Sequence, residues 1–590
     1  MLRFVFGRSG CGKSNFVFNE IKKLVNSGEK DILLLTPEQY SLIAERRLLK
    51  DLGEDKVNFV DNSSFSRISN DVRRKYGSDT LPTLSKGGKV ILMCKAIDSC
   101  KDDFQLFNKR LDSLSFVTSM IKIYDEMKSC NLDSLQINEL SKNIDNEVLF
   151  KKLSDISLIM SSYEKLIENK FNDSSNELNR IYNQIVDKNY FEDKYIFIDG
   201  FNGFVAQEYK LLELIISEAK CVTVTLCTDS YETGDNYNLF AYVNNSAKII
   251  KKIADKSNVK TEIVNLGTNY RFNNDELKAI EKHFFENCDS MLSSNDNVQI
   301  YASKNISDEC ENVSRQIKNL LRSGYKASDI AVITRDLNKY LNELEYNFSK
   351  YEVPYFRDER QPINTQSLVV MIEFMLRCIN FSFKSDDILS LAKTGLTDIS
   401  DEDINDIENY VFLWNINGLK WTKPFENSTK GFTKELSDSD KKALEKINKT
   451  REKLIKPLIV FKSAAKSKDS KKISEAIYNA LISYRADKKI KEYAIELDNN
   501  GFYALANEQG RVWELIMNIL NQLATTLGET DLKTYAQMFS LIISSEDLGT
   551  VPSGIDNVQI GQADRIRTDN PKAVFVLGAN EGEFPQAVNG

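Results

Sequence analysis

The sequence predicts an α/β fold with two parallel sheets, each interrupted by a largely helical inserted domain. Three observations support this prediction. Short, continuous apolar runs rich in β-branched residues occur in two groups along the 590 residues, as expected for strands that helices cover on both faces. A glycine-rich phosphate-binding motif follows the first of these runs. Two long stretches of helical pattern separate the runs, and each is much longer than an ordinary connection.

The first apolar run, residues 2–6, leads directly into a complete G-x-x-x-x-G-K-[ST] motif. The motif consists of Gly7, Arg8, Ser9, Gly10, Cys11, Gly12, Lys13 and Ser14. An apolar stripe with helical spacing follows, so that a strand enters the loop and a helix leaves it. Backbone N–H groups then surround the phosphates of a nucleotide, Lys13 reaches the β/γ oxygens and Ser14 binds Mg²⁺. The alternative is a chance glycine-rich turn. Because the strand, the loop and the helix follow one another as phosphate binding requires, we expect the loop to bind ATP, with GTP as the other possibility.

The remaining apolar runs are also predicted to be strands, and they form two sets, one for each sheet. The first sheet is predicted to contain residues 2–6, 32–36, 57–60, 195–198 and 222–226. The second is predicted to contain residues 298–301, 330–333 and 574–577. A helix between the first two strands of the second sheet is expected to open at Ser307 and to close at Gly324.

The helical stretches begin near residue 84 and near residue 366, and we interpret both as inserted domains. The first core is therefore expected at residues 1–85 and 190–290, with its insert at 86–189. The second core is expected at residues 291–365 and 546–590, with its insert at 366–545.

The composition limits the possible partners and cofactors. A net charge of −8, from 78 basic and 86 acidic residues, confines any nucleic-acid surface to a local patch. The start of the chain does not resemble a signal peptide, and apolar runs of about 18 residues are absent, so we expect a cytoplasmic protein that does not enter a membrane. The nine cysteines include no C-x-x-C pair and the chain has one histidine, which spells out neither a zinc nor an iron–sulfur site.

These features together resemble superfamily 1 helicases of the UvrD type, which have two RecA-like cores with inserted domains. Residues 36–40 and 63–67 follow the second and third strands, where that family has its early single-strand-contacting motifs. Residues 266–272, Leu-Gly-Thr-Asn-Tyr-Arg-Phe, look like the motif whose arginine, here Arg271, senses the γ-phosphate. The alternative for Arg271 is a surface arginine in a turn. Residues 574–585 resemble the strand and loop that close the second core.

Within this superfamily the chain is most similar to the AddB family, which forms one half of the bacterial AddAB helicase-nucleases. The resemblance rests on the phosphate loop and on residues 36–40, 64–68, 199–204, 207–209, 353–356 and 574–585. It implies a heterodimer with an AddA-type helicase-nuclease subunit, contacts with duplex ends and single strands of DNA, and a role in double-strand break repair and recombination. It also implies a nuclease domain with an iron–sulfur cluster and Mg²⁺ beyond these residues, so we expect an N-terminal fragment.

Two departures from an active motor indicate defective ATP hydrolysis. Active motors have Asp-Glu where this chain has Asp199-Gly200; the aspartate orients Mg²⁺ and the glutamate activates the attacking water. Asp199 can still serve Mg²⁺, although a plain strand-end cap is the alternative. Residues 559–570 replace the Thr-x-His-x-x-Lys-Gly-Leu-Glu stretch of working motors. We therefore expect Mg·ATP to bind and to turn over very slowly.

The single strand is expected at the carboxyl ends of the strands of the first sheet, where ligands of open parallel sheets collect. The loops at residues 36–41, 61–67 and 199–204 should converge there. They supply candidate DNA contacts for stacking, base reading and phosphate binding: Gln39, Tyr40, Phe65, Arg67, Phe201 and Phe204. The alternative for Phe201 and Phe204 is burial at a domain interface.

Two functional hypotheses remain. In the first, the chain is a helicase-like recognition module that binds nucleotide and one DNA strand, reads a Chi-type sequence as the AddB resemblance implies, and works with an active motor subunit. In the second, it is an independent P-loop enzyme, either an active DNA translocase or a small-molecule kinase. Gly200 weighs against the translocase, and the length of the chain weighs against the kinase.

Overall fold

The structure is a computed structural model that describes residues 1–77, 81–107, 114–229, 239–283, 296–357, 360–432, 437–549, 556–563, 566 and 571–585. Its strands are β1 (Leu2–Phe6), β2 (Ile32–Leu35), β3 (Val60–Ser63), β4 (Tyr195–Ile198), β5 (Cys221–Leu226), β6 (Thr261–Asn265), β7 (Ile330–Thr334), β8 (Tyr355–Arg357), β9 (Arg360–Pro362), β10 (Asp547–Gly549), β11 (Val558–Gln562) and β12 (Ala573–Leu577).

The first half of the chain contributes twelve of the α-helices. They are α1 (Lys13–Asn26), α2 (Glu38–Leu52), α3 (Glu54–Val57), α4 (Phe65–Tyr76), α5 (Lys86–Cys100), α6 (Leu114–Ser129), α7 (Ser134–Ser141), α8 (Glu147–Ile167), α9 (Glu177–Ile185), α10 (Ala206–Glu218), α11 (Ala241–Lys256) and α12 (Asp275–His283).

The second half of the chain contributes the remaining α-helices of the described residues. They are α13 (Ile306–Arg322), α14 (Leu337–Lys350), α15 (Ser367–Asn380), α16 (Ser385–Ala392), α17 (Asp401–Leu413), α18 (Asp438–Ala465), α19 (Ser470–Ser483), α20 (Ala486–Asn499), α21 (Tyr503–Thr526) and α22 (Leu532–Ser545).

The first sheet has six parallel strands in the order β3-β2-β4-β5-β1-β6. Phe6 pairs with Leu226 and Ile198 pairs with Val224, so β1, β5 and β4 end at the same edge. Because all strands are parallel, their carboxyl ends share that edge. Apolar clusters on both faces of the sheet bury its strands against α1, α2, α4, α10 and α11, which explains the continuous apolar runs of the sequence.

The second sheet has four parallel strands in the order β12-β7-β11-β8. α13 and α14 pack on it and share its apolar cluster. A separate antiparallel pair joins β9 to β10. The α/β fold with two parallel sheets and helical insertions is thus confirmed.

Three local predictions were wrong. Residues 298–301 lie outside both described sheets, and two of these side chains, Ile300 and Tyr301, are exposed instead of covered by helices. The third strand begins at Val60, because residues 54–57 form the short helix α3. The helix α13 opens at Asn305, whose side chain accepts the backbone N–H of Asp308, and not at Ser307.

The helices of the two inserts, α5–α8 and α15–α22, share a single buried apolar cluster. Most residues of α5 are buried, and the helix lies between α8 and the pair α21 and α22. Gly87 and Gly88 permit this close packing, since a Cβ atom at Gly87 would lie 2.7 Å from Cγ2 of Ile542. The Lys95 ammonium also donates to the carbonyl of Thr526 at 2.9 Å. The inserts therefore form one joint helical region that connects the two cores.

Within the part of the chain that the structure describes, no helix is both long and apolar enough to cross a membrane.

Candidate functional site

The glycine-rich loop turns between β1 and α1 with two residues in the left-handed region. Gly10 has a φ of 86° and Gly12 has a φ of 81°, a region that glycine adopts without a steric penalty. Gly12 also caps α1, which begins at Lys13. A Cβ atom at Gly10 would lie 2.7 Å from the Cβ of Arg271. Both the backbone conformation and the close approach of Arg271 therefore require glycine at position 10.

The Lys13 ammonium lies over the loop itself. It donates to the carbonyl oxygens of Gly7 at 2.7 Å and Arg8 at 2.9 Å. Cys11 is buried, and this burial raises the pKa of its thiol, so that the side chain is a neutral packing group. Ser9, Gly10 and residues 12–14 line a cleft in front of the loop.

Asp199 stands at the end of β4, two strands away from β1 across β5. Its carboxyl group is 2% exposed. Thr225, on the intervening strand, donates its hydroxyl to Oδ1 of Asp199, whereas the buried Oδ2 has no hydrogen-bond partner among the described residues. A buried carboxylate oxygen without a donor is costly unless a cation or water satisfies it.

This arrangement fits a hard divalent cation. Mg²⁺ prefers carboxylate and hydroxyl oxygens and keeps several waters. Asp199 and Ser14 both line the cleft, and the Asp199 carboxylate keeps one oxygen without a protein partner among the described residues. Clusters of three or more potential metal ligands are absent from the described part of the chain.

Gly200 directly follows the carboxylate with a φ of 83°. A Cβ atom there would lie 3.4 Å from Cδ of Pro37, so the space is open but the backbone conformation is unfavourable for any other residue. The loop therefore lacks a side chain that could polarise water at this position.

Residues 266–272 run along the loop and bind it through several hydrogen bonds. The Asn269 amide donates to the carbonyl of Ser9 at 3.0 Å, and the Tyr270 N–H donates to the carbonyl of Gly10 at 2.9 Å. The guanidinium of Arg271 donates to Oγ of Ser9 at 3.1 Å. Arg271 is thus held directly at the phosphate loop, as its proposed role as a phosphate sensor requires.

Tyr270 was missed by the sequence reasoning. Its ring is 70% exposed, lines the cleft and lies beside Gly12. An exposed aromatic face at the rim of a cleft is suited to stacking on a planar ring. The available signal was its position directly before Arg271.

The cleft has a volume of about 2000 Å³ and its opposite wall belongs to the second core. There the hydroxyl of Tyr340 lies 3.4 Å from a carboxylate oxygen of Glu309 and 3.3 Å from one of Glu583. Burial and these two carboxylates raise the pKa of Tyr340. The Lys339 ammonium binds Glu583 at 2.7 Å and lowers the pKa of that carboxyl group. One side of the cleft is therefore the cationic phosphate loop. The other side carries groups of both charges, most of which are paired.

The three loops expected to carry DNA do converge at the carboxyl edge of the first sheet. The Thr36 N–H donates to the carbonyl of Ser63 at 3.0 Å, and the Asn62 amide donates to that of Ser41 at 2.9 Å. The ring centroids of Phe65 and Phe201 lie 5.5 Å apart. The predicted meeting point of residues 36–41, 61–67 and 199–204 is confirmed.

Two of the three phenylalanines of these loops, Phe65 and Phe204, do not present faces for stacking in this structure. Phe65 is 4% exposed and Phe204 is 7% exposed, and both belong to the core of the first sheet. Phe201 stacks on Phe204 with their centroids 5.2 Å apart. Their aromatic surface packs the loops together, and burial was the alternative for Phe204. Phe65 and Phe204 therefore have no exposed face for DNA. Phe201 is partly exposed and lines the cleft, so its contact with DNA stays a prediction.

The polar candidates have different positions. The guanidinium of Arg67 is half exposed and binds Glu45 at 3.2 Å and Oγ of Ser41 at 3.0 Å, so it anchors α4 to α2. Tyr40 is partly buried and, like Pro37, lines the cleft in front of the phosphate loop. The side chain of Gln39 lies outside the described residues.

A tyrosine that the sequence reasoning missed lies at the same edge. Tyr242, in the first turn of α11, is 66% exposed. Its ring packs so closely on Gly203 that a Cβ atom there would lie 2.3 Å from Cε1 of the tyrosine. The exposed ring next to residues 199–204 is therefore held in place and is available for stacking.

Comparison with known families agrees with this geometry. The model of the AddB N-terminal family matches residues 4–281. The model of the UvrD-like helicase C-terminal domain matches residues 264–589, more than half of the chain. The chain belongs to the UvrD-like helicase family. This assignment accounts for the two parallel sheets that enclose one cleft.

Individual relatives extend the resemblance over nearly the whole chain. Proteins named as the B subunit of an ATP-dependent helicase/deoxyribonuclease are 31% identical in Clostridium novyi, 30% in Caldanaerobacter subterraneus and 30% in Clostridium tetani. The matches cover 99%, 99% and 100% of this chain but 51%, 52% and 53% of the relatives. The AddB resemblance is thus confirmed, and the chain spans about half the length of these curated relatives.

Proposed function

We propose that the chain is the helicase-like part of the B subunit of a helicase/deoxyribonuclease, which binds Mg·ATP with defective hydrolysis and binds single-stranded DNA. The observation that carries this proposal is the pairing of a complete phosphate loop with Asp199-Gly200. The loop and the free carboxylate oxygen provide for nucleotide and cation, whereas Gly200 provides no group to activate water.

In this proposal Ser14 and Asp199 hold the cation, and the cation neutralises phosphate charge when bound. Lys13 turns its ammonium from the loop carbonyls to the phosphate oxygens. Arg271 binds the terminal phosphate through its planar guanidinium, and the ring of Tyr270 stacks on the base. Bound nucleotide then stabilises the cleft without being consumed rapidly.

DNA is proposed to lie across the carboxyl edge of the first sheet. The convergence of three loops there and the exposed ring of Tyr242 support this position. Stacking on aromatic rings tolerates any base, so reading of a Chi-type sequence would need further polar contacts, for which Gln39 is the remaining candidate.

The names of the relatives support the proposed setting. The B subunit of an ATP-dependent helicase/deoxyribonuclease works with another subunit, for which we propose an AddA-type motor in the cytoplasm, acting at duplex ends during recombinational repair. The nuclease activity and the iron–sulfur cluster are proposed for the half of the relatives that these residues do not cover.

An active translocase is the second candidate, since the loop and Arg271 are in place. One experiment separates the two. Calorimetry with Mg·ATP and a phosphate-release assay are run on the chain, alone and with its motor partner, with and without single-stranded DNA. We expect binding that Lys13→Ala abolishes, because the polyphosphate loses its flexible cation, and only residual phosphate release. Turnover of about 10 per second with DNA, ordinary for an enzyme, would establish the translocase.

A further inference from the structure

Arg8 occupies a variable position of the phosphate loop, and its side chain is directed to α12. The Nε atom of Arg8 donates to a carboxylate oxygen of Glu281 at 2.8 Å, and both side chains are only 18% exposed. The guanidinium also donates to the backbone carbonyls of Glu281 and Lys282. Since these carbonyls belong to the last turn of α12, the cation also complements the negative end of the helix dipole.

The same guanidinium reaches the elements next to the proposed metal site. Its Nη1 atom binds Asp229 at 3.3 Å, just after β5, the strand that carries Thr225. It also lies 5.3 Å from the ring centroid of Phe240, just before α11. One partly buried side chain therefore joins the phosphate loop to α12, to the end of β5 and to the start of α11.

The backbone carbonyl of Arg8 is hydrogen-bonded to Lys13. Its carbonyl oxygen accepts hydrogen bonds from the Lys13 ammonium at 2.9 Å and from the Cys11 N–H at 3.3 Å. When Lys13 turns to a phosphate, this carbonyl loses its charged partner. The change occurs in the residue whose side chain holds α12.

The first turn of α12 contacts the segment that leads into the second core. A carboxylate oxygen of Glu276 accepts the backbone N–H of Asn297 at 3.2 Å. Residues 296–306, which follow, line the cleft opposite the loop. The helix therefore links the loop at its last turn to the far wall of the cleft at its first turn.

We infer that Arg8 is a positioning residue that couples the phosphate loop to the second core through α12. This inference rests on the proposed binding of nucleotide. Nucleotide bound in the loop changes the hydrogen bond between Arg8 and Glu281, and α12 transmits this change to residues 296–306 in the wall of the cleft. The side chain of Arg8 itself does not contact the nucleotide.

The test is hydrogen exchange of the α12 amides with and without Mg·ATP, with calorimetry on the same samples. In the parent protein, nucleotide should change the protection of these amides at least about fivefold, the lower range of ordinary coupling. In Glu281→Ala, affinity for Mg·ATP should stay within about threefold of the parent, a small change in free energy, while the response of α12 disappears. Glu281→Gln keeps an oxygen acceptor for Nε and should retain part of the response.

Lys278→Ala is the matched control, because this exposed lysine lies on the same helix and pairs with nearby Asp275. It should keep the full response. A different result would be equal loss of the α12 response in all three variants, Glu281→Gln, Glu281→Ala and Lys278→Ala. That result would show that the Arg8–Glu281 pair only stabilises the helix, and it would overturn the inference. Bound nucleotide without any change in α12 of the parent would also overturn it and leave the proposed function intact. Absence of nucleotide binding by calorimetry would refute both.

Discussion

Thr225 donates a hydrogen bond to Oδ1 of Asp199 and leaves Oδ2 of the same carboxylate without a partner among the described residues. The two residues lie on neighbouring strands that end at one edge of the first sheet. The hydroxyl therefore fixes the orientation of a buried carboxylate in a residue that lines the cleft. A fixed acceptor that lacks a protein donor is better suited to a cation than to a structural cap.

The first prediction concerns this carboxylate. Asp199→Ala should weaken Mg·ATP by about tenfold, or about 1.4 kcal/mol, because one oxygen that faces the cation is lost, while metal-free ATP should bind at least as well. Calorimetry with Mg²⁺ or with a chelator measures both affinities. Asp61→Ala, an exposed carboxylate in the same sheet, should leave both unchanged. Equal weakening with and without Mg²⁺ would show that Asp199 has no role in metal binding.

The second prediction concerns its neighbour. Gly200→Glu should not restore hydrolysis, because at a φ of 83° a side chain strains the backbone and is not placed as in an active motor. The left-handed conformation should cost about 1 to 2 kcal/mol of unfolding free energy. Gly200→Ala, which adds the strain without a carboxylate, should lower the melting temperature equally. DNA-stimulated phosphate release in Gly200→Glu alone would contradict this view of the loop.

The third prediction concerns Arg271. If its guanidinium binds the terminal phosphate, Arg271→Ala should weaken ATP by about ten- to a hundredfold, which corresponds to a charge-assisted hydrogen bond, and should weaken ADP much less. Competition binding against a fluorescent nucleotide gives both constants. Tyr270→Ala is the matched comparison, since loss of base stacking should weaken ATP and ADP alike. Equal effects of Arg271→Ala on the two nucleotides would exclude the sensor role.

The sequence alone predicted the strands that helices cover on both faces. It also predicted the phosphate loop, because that motif needs a strand directly before it. β1 and β4 were predicted to the residue because continuous apolar runs have no other stable position. The edge strand β6 was missed, since its side chains are largely exposed and mostly polar. The short β8 and β11 carry too few apolar residues to stand out from loops.

The residues of the candidate site also differ in whether the sequence alone indicates them. Asp199 and Arg271 became candidates because each follows a recognisable local pattern, and their roles stay predictions. The sequence left burial open for Phe204 and did not indicate it for Phe65, because an aromatic residue after a strand serves equally well as a stacking surface or as a core residue. Tyr242 became a candidate only through its contact with Gly203, and the partners of Arg8 lie more than 200 residues away in sequence.

The fourth prediction tests the shared core of the inserts with two identical substitutions. Gly87→Ala places a Cβ atom 2.7 Å from Ile542 and 2.8 Å from Gln522, and overpacking of this kind should cost about 1 to 3 kcal/mol. Gly510→Ala in α21 meets open space and should stabilise the protein by about 0.5 to 1 kcal/mol, the ordinary gain in a helix. Chemical denaturation measures both. Stabilisation by Gly87→Ala would show that α5 is not clamped between the inserts.

The fifth prediction separates the buried aromatic cluster from the exposed ring at the DNA edge. Phe65→Ala should lower the free energy of unfolding by about 3 to 5 kcal/mol, as for other buried phenylalanines, and any loss of DNA binding should disappear under conditions that restore folding. Tyr242→Ala should leave stability nearly unchanged and weaken single-strand binding by about tenfold, since stacking is worth about 1 to 3 kcal/mol per base.

Two further substitutions make this comparison specific. Tyr242→Phe keeps the ring and should bind DNA like the parent. Gly203→Ala keeps the tyrosine but displaces its ring, because the added Cβ atom would lie 2.3 Å from it, so binding should weaken as in Tyr242→Ala. Fluorescence anisotropy at low salt, with the motor partner present, measures all four variants. If Tyr242→Ala binds single strands like the parent while Phe65→Ala, although folded, does not, then the buried cluster must open to receive DNA and the exposed edge is not the binding surface.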